Sequence, residues 1–262
     1  MQAIDGSLIY QVLTDGSIFG GDYDGRLGPL TDWVNMNSHL FAGKTILDLG
    51  SNAGHFPIEY VRAGAARVIA VEGRPEFLEQ WKEAYPAFQL DLSPVQWLVS
   101  DVRDISYRKA DIVSCLGLLY HIEGFLPRLR LISESAEMVL IEVQTGDENT
   151  RLKTDTPIDR TRSLKDEEVL VCSPDMWEKL LHRHFHDLFV ISRIWLTTYG
   201  DVYKVKRLGK HGHEFMLTVR AFYLLSRIGS DFNFIIDDRT GCKDITSQPV
   251  RVYDTAAPEE GK

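Results

Sequence analysis

Thr45-Ile-Leu-Asp48-Leu-Gly50-Ser51-Asn52-Ala-Gly54-His-Phe56 is the stretch on which the fold turns. A short apolar run ends on an acidic residue and passes through a turn punctuated by Gly50 and Gly54 into a helical pattern. At the carboxyl end of a parallel strand, glycines let backbone approach a ligand closely, and a starting helix carries N–H groups that lack partners within the helix. The stretch therefore predicts a strand over 45–49, a helix over 55–63 and a small polar ligand held between them.

Two similar stretches follow. Val68-Ile-Ala-Val-Glu72-Gly73 ends on a carboxylate placed to take the two hydroxyls of a ribose, and Trp97-Leu-Val-Ser-Asp101-Val102 ends on one that can take an adenine amino group. With these residues the chain resembles the class I S-adenosylmethionine-dependent methyltransferases, best over 44–144. The resemblance implies a Rossmann-like α/β fold: a seven-stranded, mostly parallel sheet with an antiparallel last strand and helices on both faces. It implies S-adenosylmethionine as cofactor, S-adenosylhomocysteine as product, and no metal. Backbone around Asp48, Gly50, Ser51, Asn52, Gly54 and Phe56 would hold the methionine part, Glu72 the ribose, and Gly73 and Arg74 would border the adenine. Asp101 and Val102 would receive the adenine edge, and Leu116 and Gly117 would lie beside the transferring methyl.

A nicotinamide dehydrogenase opens in a similar way, but its fingerprint is G-x-G-x-x-G. Here Ser51, Asn52 and Ala53 separate Gly50 from Gly54, so no second glycine stands where a pyrophosphate would settle. Any one of the acids could be a helix cap or a solvated residue. Their ordered recurrence at successive strand ends carries the reading.

At 262 residues the chain can bury a full α/β core, and its 44% hydrophobic and 26% charged residues are those of an ordinary globule. A formal charge of −9 weighs against a broad nucleic-acid or anionic-membrane surface. Cys115, Cys172 and Cys242 show neither CxxC pairing nor metal spacing, which predicts a reducing, cytoplasmic setting. The N-terminus shows no signal-peptide pattern, and no membrane span is expected.

Along the chain, residues 1–44 are expected to form an extension capping the active site, with a glycine-rich turn over 19–28 and a helix over 29–41. Residues 45–230 form the main domain. Strands are predicted over 45–49, 67–71, 96–100, 111–115 and 138–144, and helices over 55–63, 75–84 and 124–136, the alternation that parallel crossovers require. The polar run within 145–172 reads as an insertion and acceptor-binding loop, too long for an ordinary connection. Ser173-Pro174 starts a helix. Strands over 188–198 and 220–226 complete the sheet, with a basic segment over 203–213 between them. Residues 231–262 are read as an extension whose end, from 254, is a flexible tail.

The segment Leu118-Leu-Tyr120-His121-Ile122 supplies the catalytic candidates. His121 can take a proton from a hydroxyl or amine, because imidazole titrates near working pH, and Tyr120 can orient the acceptor. A packing or cofactor-side role for His121 is the alternative. Cys115 lies in an apolar strand and reads as core rather than nucleophile. Glu142, Asp147 and Glu148 read as solvated loop carboxylates, with binding of a cationic acceptor as the alternative. His182, His184 and His186 lack an acidic or thiolate partner at ligand spacing.

The expected activity is methyl transfer to oxygen or nitrogen of a small-molecule acceptor, with a homodimer left open. The Leu118–Ile122 segment also resembles that of bacterial tRNA wobble-uridine carboxymethyltransferases, which use a carboxylated cofactor. A non-catalytic cofactor-binding protein is the reading from a different class.

Overall fold

The computed structural model describes residues 11–12, 18–19, 24–84, 90–107, 109–122, 124–146, 150–153, 168–206, 213–235 and 251–254. Two short strands, β1 (Gln11–Val12) and β2 (Ile18–Phe19), pair antiparallel and precede helices α1 (Asp24–Met36) and α2 (Ser38–Phe41). The main sheet begins with β3 (Thr45–Leu49), β4 (Arg67–Glu72), β5 (Val95–Val99), β6 (Ile112–Leu116) and β7 (Met138–Gly146), all parallel in the order β5-β4-β3-β6-β7. Their connections carry α3 (His55–Arg62), α4 (Pro75–Ala84) and α5 (Leu126–Ile132).

Beyond β7 come β8 (Thr150–Lys153) and β9 (Glu168–Val171), an antiparallel pair, then α6 (Pro174–Phe185). The long strands β10 (Phe189–Lys206) and β11 (His213–Arg227) extend the sheet, β11 lying antiparallel between β7 and β10. These seven strands have the predicted architecture. An eighth, β12 (Arg251–Asp254), adds parallel to β10 at the edge.

Alternation along each strand sends side chains to two cores. On one face Leu47, Val71, Val113, Ile141 and Tyr223 pack under α5 and α6 with Leu129, Trp177 and Phe185. On the other, Ile46, Val68, Ile112, Leu140 and Phe222 pack under α1 and α3 with Trp33, Phe41 and Tyr60. Each fully buried large apolar side chain contributes about 1.5–3 kcal/mol relative to exposure. Ser173 caps α6 by accepting from the Met176 amide at 3.3 Å, and the Trp177 indole donates to the Gln144 carbonyl at 3.0 Å.

Several boundaries differ from the sequence reading. Helix α1 starts at Asp24, so the end of the expected glycine-rich turn is helical, with Pro29 in its second turn. The helix predicted over 29–41 breaks at Asn37, whose side chain donates to the Trp33 carbonyl at 2.9 Å and exchanges hydrogen bonds with Ile235. Helix α5 is shorter than 124–136. Gly124 is left-handed at φ 70°, and the Ser133 hydroxyl donates back to the Leu129 carbonyl. Within the basic segment, Lys204 and Lys206 belong to β10, whose antiparallel partner starts at His213. Within the polar insertion, β8 and β9 form a hairpin. The tail expected from 254 otherwise lies outside the described residues, as do Asp147 and Glu148.

Candidate functional site

Asp48, Glu72 and Asp101 stand at or just beyond the carboxyl ends of three adjacent strands, β3, β4 and β5. The turn leaving β3 is wound tightly. Gly50 (φ 75°), Asn52 (φ 51°) and Gly54 (φ 90°) are all left-handed. Asn52 fills a place where glycine would be easiest, and asparagine is among the few residues that tolerate that region. Gly54 has a second reason to lack a side chain, since a Cβ there would lie 2.2 Å from the Trp81 indole. Phe56 follows on α3, buried against Tyr60.

The turn from Gly50 to Gly54 spends its amides inward. Gly50 and Ser51 N–H donate to the Val71 carbonyl at 2.9 Å, Asn52 N–H to Glu72 Oε2 at 2.9 Å, Ala53 N–H to Asn52 Oδ1 at 2.8 Å and Gly54 N–H to the Ser51 carbonyl at 3.0 Å. A pyrophosphate needs several outward amides, so this is not a dinucleotide cradle.

Glu72 is 4% exposed. Besides the Asn52 amide it accepts from the Arg74 backbone N–H at 3.1 Å and from the Arg74 guanidinium, Nε at 2.8 Å. Arg74 lies over the Phe77 ring, 4.1 Å from its centroid, and Gly73 is the bend between the two partners. Asp101 caps a short 3-10 turn, Val102–Asp104, by accepting from the Arg103 amide at 2.9 Å. Hydrogen bonds from the Arg103 side chain hold its carboxyl below the usual range, and Val102 is buried beside it.

Asp48 is buried on the α3 side of the sheet at 3% exposure. Ser114 on β6, its register partner, donates to Asp48 Oδ1 at 2.7 Å, and the Tyr60 hydroxyl on α3 donates to Ser114 Oγ at 2.8 Å. Burial pushes the Asp48 carboxyl up to about 6, against the hydrogen bonds that favour its charge. Cys115, the neighbour of Ser114, is fully buried and its thiol is pushed up by the same desolvation, which removes it as a nucleophile.

Leu116 and Gly117 end β6, with the Gly117 amide donating to the Glu142 carbonyl at 3.0 Å. A 3-10 turn, Leu119–His121, follows and lies against β9. Leu118 closes over the glycine turn, 3.1 Å from where a Gly50 Cβ would stand. Tyr120 is buried, its hydroxyl accepting from the Arg220 guanidinium. His121 is half-buried, its ring 4.3 Å from that of Tyr120. Glu142 is no loop carboxylate. It is fully buried inside β7, and Arg220 Nε on β11 stands 3.7 Å from it.

Ser114, Tyr60, Glu142 and Arg220 were missing from the predicted site. Glu142 and Arg220 had a signal, a charge set within an apolar strand run. Ser114 and Tyr60 had none, because only the β3–β6 pairing and the packing of α3 bring them to Asp48. On α6 and its end, His186 bonds the His182 carbonyl at 2.7 Å, and among the described residues no three metal-capable side chains converge.

A family model described as a methyltransferase domain matches residues 46–138, the segment that carries the turn and all three strand-end acids. Over that segment the chain carries a methyltransferase domain, similar to those of the class I S-adenosylmethionine-dependent enzymes. Solved structures agree with the sheet. The N-terminal domain of EvdMO1, crystallised with S-adenosylhomocysteine and D-fucose, superposes with a TM-score of 0.56 at 18% identity, covering 82% of this chain and 89% of that one. The YcgJ protein of Bacillus subtilis gives 0.51 at 13% identity, over 78% of this chain and 98% of its own. In sequence, the tRNA U34 carboxymethyltransferase of Shewanella denitrificans is 30% identical over 144 residues, 52% of this chain and 43% of that protein. That of Shewanella sp. strain ANA-3 is 29% identical over 128 residues, 46% and 38% respectively. This chain thus spans less than half the length of the curated relatives it matches. Among its described residues no helix is long and apolar enough to cross a membrane.

Proposed function

We propose that this chain transfers a methyl group from S-adenosylmethionine to an oxygen or nitrogen of a small-molecule acceptor. The observation that carries the reading is the meeting of Asp48, Glu72 and Asp101 at the ends of β3, β4 and β5 around a left-handed turn whose amides are spent inward. Such a turn suits an amino-acid end better than a phosphate. The cofactor supplies an already electrophilic methyl on a sulfonium, so the protein's work is to align the acceptor and exclude water.

Each residue then has a task. Backbone from Asp48 to Gly54, with Phe56, lines the amino-acid end; Gly73 and Arg74 border the adenine, whose edge Asp101 and Val102 receive. Glu72 takes the ribose hydroxyls, which replace the Arg74 guanidinium bonds, because the carboxylate's acceptor positions are already engaged. Leu116 and Gly117 flank the methyl, with His121 as the candidate base and Tyr120, held by Arg220, orienting the acceptor. No metal is required, and a cytoplasmic setting suits the buried free thiols.

A second reading is carboxymethyl transfer to a tRNA uridine. It is favoured by the Arg220 guanidinium beside Tyr120 at the end of the turn after β6, since a carboxylated cofactor needs a cation near its transferring group. Glu142 beside the same guanidinium argues the other way, because it already balances that charge. The net charge of −9 also disfavours a tRNA surface.

Titration calorimetry separates these readings. S-adenosylmethionine and S-adenosylhomocysteine should bind and NAD should not, with Asp101→Ala weakening affinity about tenfold, the cost of losing one charged hydrogen bond. Preference for the carboxylated cofactor, together with salt-sensitive tRNA binding, would establish the second reading. Absence of binding to all of them would remove both.

A further inference from the structure

Asp48 sits under the glycine turn as a nearly inaccessible carboxyl, and two hydroxyls from different elements are spent on it. The Tyr60 hydroxyl donates to Ser114 Oγ at 2.8 Å and Ser114 Oγ donates to Asp48 Oδ1 at 2.7 Å. All three residues are 3% exposed or less. A hydroxyl placed between two partners must donate to one and accept from the other. An ionised carboxylate accepts only, so Asp48 fixes the direction of the whole chain: Tyr60 gives to Ser114, and Ser114 gives to Asp48. Donation toward the carboxylate strengthens along such a chain, because each bond polarises the next.

We propose that Ser114 and Tyr60 are positioning residues, which keep the Asp48 carboxylate charged and fixed beneath the turn so that the ammonium of an amino-acid ligand end meets a negative field there. The inference rests on the cofactor reading above, and it assigns a specific job to two side chains that touch no ligand. The groups facing Asp48 are Ser114 on β6, Tyr60 on α3, Glu72 on β4 and Ser51 in the turn, whose hydroxyl donates to the Asp48 carbonyl at 3.0 Å, while Cys115 feels its charge from the other face of the sheet. Cys115 and Tyr60 stay neutral, both pushed above their ordinary range, chiefly by burial. Glu72 opposes the charge on Asp48. Burial raises the Asp48 carboxyl to about 6, and hydrogen bonds from Ser114, which Tyr60 backs, and then from Ser51 oppose that rise.

The sign follows from linkage. An ammonium binds the ionised carboxylate better than the neutral acid, so affinity should rise as pH climbs through the Asp48 titration and level off above it. Removing the Ser114 hydroxyl disfavours the charged form and moves that rise to higher pH. Tyr60→Phe should act in the same direction and less strongly.

The probes are S-adenosylhomocysteine and 5′-methylthioadenosine, which shares the nucleoside but lacks the amino-acid end, titrated calorimetrically from pH 5 to 8. For the intact protein, S-adenosylhomocysteine affinity should increase about tenfold across this range while that for methylthioadenosine stays flat. Ser114→Ala should shift the midpoint up by about one pH unit, a tenfold change in the carboxyl's proton affinity. Ser114→Thr, which retains a hydroxyl, should restore the original midpoint and serves should Ser114→Ala fold poorly. Flat S-adenosylhomocysteine affinity, or a loss in Ser114→Ala that is equal for both probes at every pH, overturns the positioning role while leaving the cofactor reading intact. If neither probe binds at any pH, it is the cofactor reading that falls.

Discussion

Gly54 shows how one residue can be constrained from two directions. Its φ of 90° is a conformation that side chains resist, and the Trp81 indole fills the space a Cβ would need, with Trp97 stacked 5.2 Å behind it. Gly54→Ala should therefore destabilise the fold by about 2–4 kcal/mol, combining left-handed strain with overpacking. Urea unfolding would register this as a lower midpoint at an unchanged slope, and a loss below about 1 kcal/mol would show that the Trp81–Trp97 pair yields easily. Gly54 was legible in the sequence as a turn glycine, but its indole neighbour was not, since Trp81 arrives from α4. Asn52 was legible as a member of the cofactor turn and as the absence of a second glycine. Its left-handed backbone shows that the same turn is formed with a different residue.

Among elements, the apolar strands were legible to within about one or two residues because period and length agree, as β3, β4 and β7 show. The helix ends were less so. A pattern that looks continuous from Pro29 to Phe41 is interrupted because Asn37, fully buried, turns its amide toward a segment almost two hundred positions later. Its Oδ1 accepts from the Ile235 amide at 2.6 Å and its Nδ2 donates to the Ile235 carbonyl at 3.2 Å, so one side chain pairs as a strand neighbour would. His39 adds a bond to the Asn233 carbonyl at 2.9 Å. Asn37→Ala leaves those groups without partners and should cost about 1–3 kcal/mol. Hydrogen exchange at the Ile235 amide should accelerate more than at Leu224 in the sheet. Equal protection at both sites would mean that Phe232 and Phe234, packed on the same core, hold the segment without the clasp.

At the scale of the whole molecule, the site is assembled from strand ends that are far apart in sequence and adjacent in the sheet. Asp48 and Asp101 are separated in sequence by two helices and two strands, yet only β4 stands between β3 and β5. A ligand bridging the ends of β3, β4 and β5 therefore ties together elements that unfolding would separate. Binding to the folded chain alone stabilises it by about 2.7 kcal/mol at a ligand concentration of 100 times Kd. For a chain of this size that corresponds to a rise in Tm of about 5–10 °C. S-adenosylhomocysteine should produce that rise in a thermal melt and keep raising Tm as its concentration increases, whereas NAD should leave Tm unmoved. Asp101→Ala should give a smaller rise at the same concentration, because it removes a contact from one of the three strand ends and leaves the other two. An unchanged melt at millimolar S-adenosylhomocysteine would mean that the strand ends do not share a ligand, and that their three acids serve only the local bonds to Ser114, Arg74 and Arg103.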